Sequence, residues 1–233
     1  ACTEGAGGLL VLGASGGVGS YAVQLARHAL GSRLVVGTSS APNAPFLHAL
    51  GAHTVVSYTD EACWSLLSRA AQQAPGGGFA VVLDCVGGDD YWEHGQGLLR
   101  GGGVYVTLVG SKRYGADTDN KGVISVGGAV SDQVRTSVRA GLGLLGAQHK
   151  YTLFTPSMTN SADLKVLAAL LQKRTIIPVV KQVVSMYEAA DAHRVLDAHH
   201  AVGKTVLQVG KKGEDDEDTS EEGSAEEEEE EEA

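Results

Sequence analysis

Residues 9–19 read LLVLGASGGVG, a continuous apolar run followed by a turn with four glycines. The run Leu9–Leu12 is typical of a strand that is buried on both faces of a sheet. From Gly17 to Leu30 the apolar residues recur at helical spacing, which predicts a helix. The glycines therefore lie between a buried strand and a helix N-terminus. Free backbone N–H groups and the helix dipole make such a turn suitable for binding a pyrophosphate group.

Short β-rich runs and helix-length segments alternate on both sides of this turn, with short connections between them. We predict further strands at 34–36, 54–56, 79–83 and 104–109, and helices at 42–50, 60–73 and 91–99. After a loop at 111–128, we predict helices at 130–145, 162–173 and 187–196, and strands at 151–154, 179–184 and 205–209. This order predicts an α/β fold of the Rossmann type, a doubly wound parallel sheet with helices on both faces.

The charge of the chain is concentrated at its C-terminal end. Of 28 acidic residues, 14 fall in residues 213–233, which contain no Lys or Arg. We expect this low-complexity segment to be a disordered acidic tail. The remaining 212 residues hold 18 basic and 14 acidic groups, so the acidic balance of the whole chain says nothing about a substrate. A mildly basic body with an acidic tail argues against nucleic-acid binding.

Other features of the composition exclude several classes of protein. The three cysteines, Cys2, Cys63 and Cys85, are too few and too far apart for a disulfide framework or a four-thiolate zinc site. We therefore expect no metal site and a reducing, intracellular environment. No apolar run reaches the ~18 residues of a transmembrane helix, so no transmembrane segment is predicted. No targeting peptide is visible in the sequence.

The end of the second predicted strand bears on the choice of nicotinamide cofactor. It reads Val36-Gly37-Thr38-Ser39-Ser40, and no acidic residue occurs between Arg33 and Asp60. An Asp or Glu at this position binds the ribose 2′-hydroxyl of NADH and repels a 2′-phosphate. Its absence favours NADPH. Tyr58, just after the third strand, is either a further donor to that phosphate or an ordinary aromatic residue at a strand end.

Several blocks of the sequence resemble a known superfamily. The glycine turn, followed by Val23-Gln24-Leu25-Ala26, resembles the cofactor-binding half of the zinc-independent medium-chain dehydrogenases/reductases, which include the quinone oxidoreductases. The resemblance extends over about residues 9–209 through the blocks LGAHTVVSY (50–58), LDCVGG (83–88), YVTLV (105–109), IPVV (177–180) and HAVGKTV (200–206). The block YVTLV is similar in particular to the mitochondrial reticulon-interacting oxidoreductase branch.

The resemblance implies positions for the cofactor-binding residues. It places the pyrophosphate at Ser15, Gly16, Gly17 and Val18, and the 2′-phosphate at Ser39 and Tyr58. It also implies that Val86 and Leu108 line the adenosine and nicotinamide sides of the cleft. From the C-terminal end, His200, Ala201 and Gly203 would lie near the cofactor.

The sequence departs from this superfamily in one large respect. Family members carry an N-terminal catalytic domain of β-barrel type, whereas eight residues precede the first strand in this sequence. We therefore expect a truncated N-terminal segment at 1–8 and a nucleotide-binding domain at 9–212 that includes C-terminal return strands. Because the missing domain normally forms one wall of the substrate cleft, no catalytic residue is assigned.

Two classes of function fit these observations. One is an NADPH-dependent oxidoreductase of the quinone reductase type, which transfers a hydride to a small-molecule acceptor, a quinone or an activated alkene. An enoyl-thioester reductase is the neighbouring enzyme activity. The other class is a non-catalytic nucleotide-binding subunit of a larger assembly. In both cases we expect a homo-oligomer or a complex with another subunit, because the C-terminal strands lack a covering domain. The resemblance implies a mitochondrial location.

Overall fold

The structure of the chain, a computed structural model, describes residues 7–110, 137–139, 141, 150–154, 161–197 and 201–210. Three predicted segments lie wholly or largely outside these residues. They are the loop at 111–128, most of the helix at 130–145, and the acidic tail at 213–233. Within the described part, residues 137–139 and 141 of that helix are helical. No helix in this part is long and apolar enough to cross a membrane.

Six parallel strands form the central sheet. They are β1 (Gly8–Leu12), β2 (Val35–Ser39), β3 (Thr54–Ser57), β4 (Phe79–Asp84), β5 (Leu99–Thr107) and β6 (Lys150–Leu153). Their spatial order is β3-β2-β1-β4-β5-β6, so the direction of winding reverses between β1 and β4. This is the doubly wound order, in which ligands bind at the reversal, outside the carboxyl ends of the strands. The predicted Rossmann sheet is confirmed.

The helices connect consecutive strands. They are α1 (Gly19–Gln24), α2 (Ala44–Ala49), α3 (Cys63–Gln73), α4 (Asp89–Gln96), α5 (Ser161–Gln172) and α6 (Ala189–Asp197). Helix α1 continues as a π-helical segment over Leu25–Ala29, and 3-10 turns at Ala41–Asn43 and Met186–Glu188 precede α2 and α6. Two further strands, β7 (Val180–Ser185) and β8 (Lys204–Gln208), pair in parallel as a separate two-stranded sheet.

Two hydrophobic cores, one on each face of the sheet, account for the continuous apolar run in β1. Leu10 and Leu12 pack in the core that includes Leu67 of α3. Val11 packs in the other core, with Val23 of α1 and Leu47 of α2. Because side chains of a strand alternate between faces, β1 must be apolar at successive positions to supply both cores. The helices therefore cover both faces, as predicted.

The boundaries of β5 differ from those predicted from the sequence. The strand begins at Leu99, five residues before the predicted start, and includes Gly101, Gly102 and Gly103. Glycine is depleted in strands, so this triplet hid the first half of the strand. The register of pairing shifts here, with Phe79 opposite Leu99 and Val81 opposite Val104. This irregularity accommodates the additional glycines.

Candidate cofactor-binding site

The glycine turn after β1 is held by the end of β2. The Gly13 N–H donates to Thr38 Oγ1 at 3.0 Å, and the Ala14 N–H donates to the Thr38 carbonyl oxygen at 2.8 Å. Gly13 has a φ of +74°, a left-handed conformation that glycine adopts at low cost. These contacts fix the direction in which the chain leaves the sheet toward α1.

Helix α1 begins in close contact with this turn. A Cβ atom on Gly19 would lie 2.7 Å from Ala14 Cα and even closer to the Gly13 carbonyl oxygen, so only glycine fits at this position. The first turn of α1 contains no acidic residue. The N-terminal end of the helix, where Gly19 and Ser20 are buried, therefore faces the turn without a carboxylate of its own to neutralise the helix dipole.

The loops after β4 and β5 form the neighbouring part of this edge of the sheet. Asp84, which is 1% exposed, accepts hydrogen bonds at Oδ1 from the N–H groups of Val86 and Gly87, both at 2.9 Å. A Cβ on Gly13 would lie 3.0 Å from Val86 Cγ2, which shows that this side chain lies against the glycine turn. The Leu108 N–H donates to the Asp84 carbonyl oxygen at 2.9 Å. Val86 and Leu108 thus follow neighbouring strands at the carboxyl edge.

The geometry gives Asp84 a structural role. Its carboxylate is buried and shapes the loop at 85–88 through two backbone hydrogen bonds. Burial, and then the Asp84 charge, raise the pKa of Tyr105 far above its usual value, so the phenol remains protonated. The same two causes raise the pKa of Cys85 to about 12, which makes this thiol a poor nucleophile.

The structure places the two residues predicted for the 2′-phosphate side by side. The Tyr58 N–H donates to the Ser39 carbonyl oxygen at 3.1 Å, and the Tyr58 side chain is 42% exposed. Ser39 is only 1% exposed, and its hydroxyl donates to the Ser40 carbonyl oxygen at 2.9 Å. The half-buried Ser40 hydroxyl, which accepts from Asn43 Nδ2 at 2.9 Å, is the more accessible one. Neither Ser40 nor Asn43 was among the residues predicted to contact the 2′-phosphate.

The segment before β8 also contacts the turn. The Gly203 N–H donates to the Ser15 carbonyl oxygen at 2.9 Å, and the Lys204 N–H donates to the Val179 carbonyl oxygen at 2.8 Å. Gly203 is buried with a φ of +61°, and a Cβ there would lie 2.6 Å from the Val179 carbonyl oxygen. The structure thus brings Gly203 to Ser15, while Ala201 is half-buried two residues before it and His200 lies outside the described residues.

A dinucleotide fits the residues at this edge. Gly16 and Gly17 carry no side chain beside the N-terminus of α1, the Gly16 N–H donates to the Gly13 carbonyl oxygen at 3.2 Å, and the exposed Val18 follows them. The chain's acidic groups are absent from this turn, and Asp84 is buried away from solvent. A pyrophosphate at this position would meet N–H groups and no exposed carboxylate from the turn itself.

The strand order and the glycine turn at the reversal define a doubly wound domain of the Rossmann class. The chain belongs to the zinc-binding dehydrogenase family, whose family model matches residues 50–207. This match confirms the resemblance to the medium-chain superfamily. No group of three or more His, Cys, Asp or Glu side chains in the described residues is arranged to hold a metal ion.

Comparisons with individual proteins agree with this assignment. The chain is 29% identical over 210 residues to the mitochondrial NAD(P)H oxidoreductase RTN4IP1 of Danio rerio, covering 86% of this chain and 49% of that protein. It is 32% identical over 103 residues to the chloroplastic NADPH-dependent alkenal/one oxidoreductase of Arabidopsis thaliana. This match covers 44% of this chain and 24% of that protein. The quinone oxidoreductase from Coxiella burnetii has the same fold, with a TM-score of 0.62 and 24% identity. The match covers 87% of this chain and 52% of that structure.

The matches to the Danio rerio relative and to the Coxiella burnetii structure have a similar extent. The chain spans about half the length of the Danio rerio relative and of the Coxiella burnetii structure. The matched part of the family corresponds to its cofactor-binding half, and the described sheet is the doubly wound sheet of that half.

Proposed function

We propose that this chain binds NADPH at the Gly13–Gly19 turn and is the cofactor-binding part of a zinc-independent oxidoreductase of the quinone or alkenal reductase type. The observation that supports the proposal most strongly is the position of the turn. It lies at the reversal of the sheet, where the connections that follow the paired strands β1 and β4 lead in opposite directions, and it contacts Thr38 on one side and Val86 on the other. Both relatives are named as oxidoreductases, which supports an oxidoreductase activity for this chain.

The proposed preference for NADPH rests on the residues at the C-terminal ends of β2 and β3. Ser39, Ser40 and Tyr58 form this region, and no acidic residue lies between Arg33 and Asp60 to repel a 2′-phosphate. The name of the Arabidopsis thaliana relative also specifies NADPH. In this arrangement Ser40 and Tyr58 are the accessible donors, while Ser39 positions the neighbouring backbone.

Bound NADPH would supply the hydride, and the residues of this chain would bind and orient it. The backbone of Ser15, Gly16, Gly17 and Val18 would hold the pyrophosphate, while Val86, Leu108, His200, Ala201 and Gly203 would line the rest of the bound cofactor. The hydride acceptor is proposed to be a quinone or an activated alkene. Loss of NADPH absorbance on addition of such an acceptor to the native protein tests this, and reduction of neither class of acceptor would contradict it.

The proposal extends to organisation and location. We propose a nucleotide-binding domain at 9–212, preceded by a short segment at 1–8 and followed by an acidic tail at 213–233. A mitochondrial location is supported by the name of the Danio rerio relative. Cell fractionation of the native protein tests the location, and its absence from mitochondria would contradict it.

We further propose that the chain forms homo-oligomers through β7, β8 and α6. Val183 and Val206 lie opposite each other in this small sheet, and both are exposed, as are Tyr187, Val195 and Leu196 nearby. Exposed apolar side chains favour association, and among the described residues each of the two strands has one unpaired edge that can pair with a second copy. Light scattering should find an oligomer that the double variant Val183→Glu, Val206→Glu converts to monomer. A monomeric parent chain would contradict the proposal.

Calorimetric titration with NADPH tests the binding proposal. Gly17→Val should abolish binding, because its side chain would cover the backbone donors. The closest clash of its Cβ is with the flexible Lys204 side chain, and the Gly203 carbonyl oxygen follows at 3.1 Å, so the fold should persist with a small local shift. Gly101→Ala is the matched control, since a Cβ there meets nothing within 4 Å. Equal affinity in the parent chain and in Gly17→Val would contradict the assignment of the turn.

A further inference from the structure

Lys204 places its ammonium group on the glycine turn. A Cβ atom on Gly17 would lie 2.5 Å from Lys204 Nζ and 3.0 Å from Lys204 Cε. The lysine therefore occupies the space that the missing side chain of Gly17 leaves open. The resemblance assigned His200, Ala201 and Gly203 to the cofactor but gave no role to this lysine.

The backbone beneath Lys204 is fixed on two sides. The preceding Gly203 donates to Ser15 in the turn, and Lys204 itself donates to Val179 at the start of β7. A side chain at Gly203 would collide with Val179, so this close approach depends on glycine. The position of Lys204 beside Gly17 thus follows from the fold and does not depend on the lysine side chain alone.

The Lys204 ammonium group and the N-terminus of α1 bring two positive charges to the glycine turn. The N-terminus of α1 carries a partial positive charge, and its first turn has no acidic residue. Within the described residues, the ion pairs are Arg139 with Asp89 and Arg194 with Asp191, and neither involves Lys204. An ammonium group beside a positive helix end is unfavourable unless an anion lies between them. The pyrophosphate of a dinucleotide supplies that anion.

We propose that Lys204 is a cofactor-binding residue that pairs with the pyrophosphate of the bound dinucleotide. The inference rests on the proposed NADPH site and adds a cation to a turn that otherwise offers only backbone donors. Because NADPH and NADH share the pyrophosphate, Lys204 contributes equally to the binding of both. It therefore raises affinity without selecting between them, unlike Ser39, Ser40 and Tyr58, which lie at the ends of β2 and β3.

Calorimetric titrations of NADPH and of NADH into the full chain and its variants test this role. Lys204→Gln should weaken both ligands by about tenfold, as expected for loss of a charge-assisted contact. Lys204→Arg should retain most of the affinity. The dependence of the dissociation constant on salt should be shallower in Lys204→Gln, since one screened charge pair is lost. Lys181→Gln, which removes the same charge from β7, is the matched control and should bind as the parent chain does.

The outcomes separate this inference from the proposal on which it rests. If the parent chain binds neither dinucleotide, both the proposed function and the role of Lys204 are wrong. If the parent binds and Lys204→Gln binds equally well or more tightly, only the role of Lys204 is wrong. Weaker binding of NADPH alone would show that the lysine contacts the 2′-phosphate and would overturn the assignment to the pyrophosphate. Melting temperatures of the variants establish that each one is folded.

Discussion

The Gly13 N–H and the Thr38 hydroxyl oxygen lie 3.0 Å apart and join the ends of β1 and β2. Thr38 is buried, and its carbonyl oxygen accepts a second hydrogen bond from the Ala14 N–H. The side chain of one strand end thereby sets the path of the glycine turn that follows the neighbouring strand. The shape of the proposed pyrophosphate site depends on this contact as well as on the glycines.

Replacement of Thr38 tests that dependence. Thr38→Val keeps the shape of the side chain but leaves the Gly13 N–H without its acceptor, which should cost about 1–3 kcal/mol of unfolding free energy. Thr38→Ser keeps the oxygen and should lose less. Urea denaturation measures both. An equal loss in the two variants would show that the hydroxyl oxygen is not what holds the turn.

NADPH should bind more tightly than NADH, because the β2–β3 edge contains accessible hydroxyl groups and no acidic residue. Ser40→Asp places a carboxylate at the more accessible hydroxyl position and should reduce or reverse the preference by repelling the 2′-phosphate. The same change at Ser39 would also bury a charge, since this residue is 1% exposed. Calorimetry with both dinucleotides measures the ratio. Equal affinities in the parent chain would mean that this edge does not recognise the phosphate.

The Cys85 thiol should be unreactive in the folded protein. Burial and the neighbouring Asp84 carboxylate raise its pKa to about 12, so very little thiolate exists at pH 8. Iodoacetamide treatment at pH 8, followed by mass spectrometry, should leave Cys85 unmodified. The same treatment in guanidinium chloride should alkylate it. Rapid alkylation in the native protein would contradict the raised pKa and the half-buried position of this thiol.

The architecture could be predicted from the sequence because its signals are local. The apolar run of β1 serves two cores, and the turn residues at Gly13 and Gly51 mark where a strand or helix ends. The early start of β5 was missed, since three glycines in a strand have no local signature. Pairing with β4 stabilises that segment, and pairing is a tertiary contact.

The candidate site was predictable only in part, for the same reason. The glycine turn is contained in one short stretch, and Gly203 was located by resemblance. The contact between Lys204 and Gly17 joins distant parts of the chain through a backbone hydrogen bond from Gly203 to Ser15, which no spacing rule could indicate. Likewise, the sequence shows that Ser39 carries a hydroxyl but not that β2 buries it.

The central claim, that a nicotinamide dinucleotide phosphate binds at the carboxyl edge of the sheet, is tested most directly by NMR of the isotope-labelled chain during titration with NADPH. The backbone amide signals of Gly16, Gly17 and Val18 should shift most, followed by those of Ser40 and Tyr58. Signals from α5, on residues 161–172, should remain unchanged. Shifts confined to residues away from the glycine turn, for example those lining the cavity of about 360 Å³ between Gln24 and Arg174, would contradict the account.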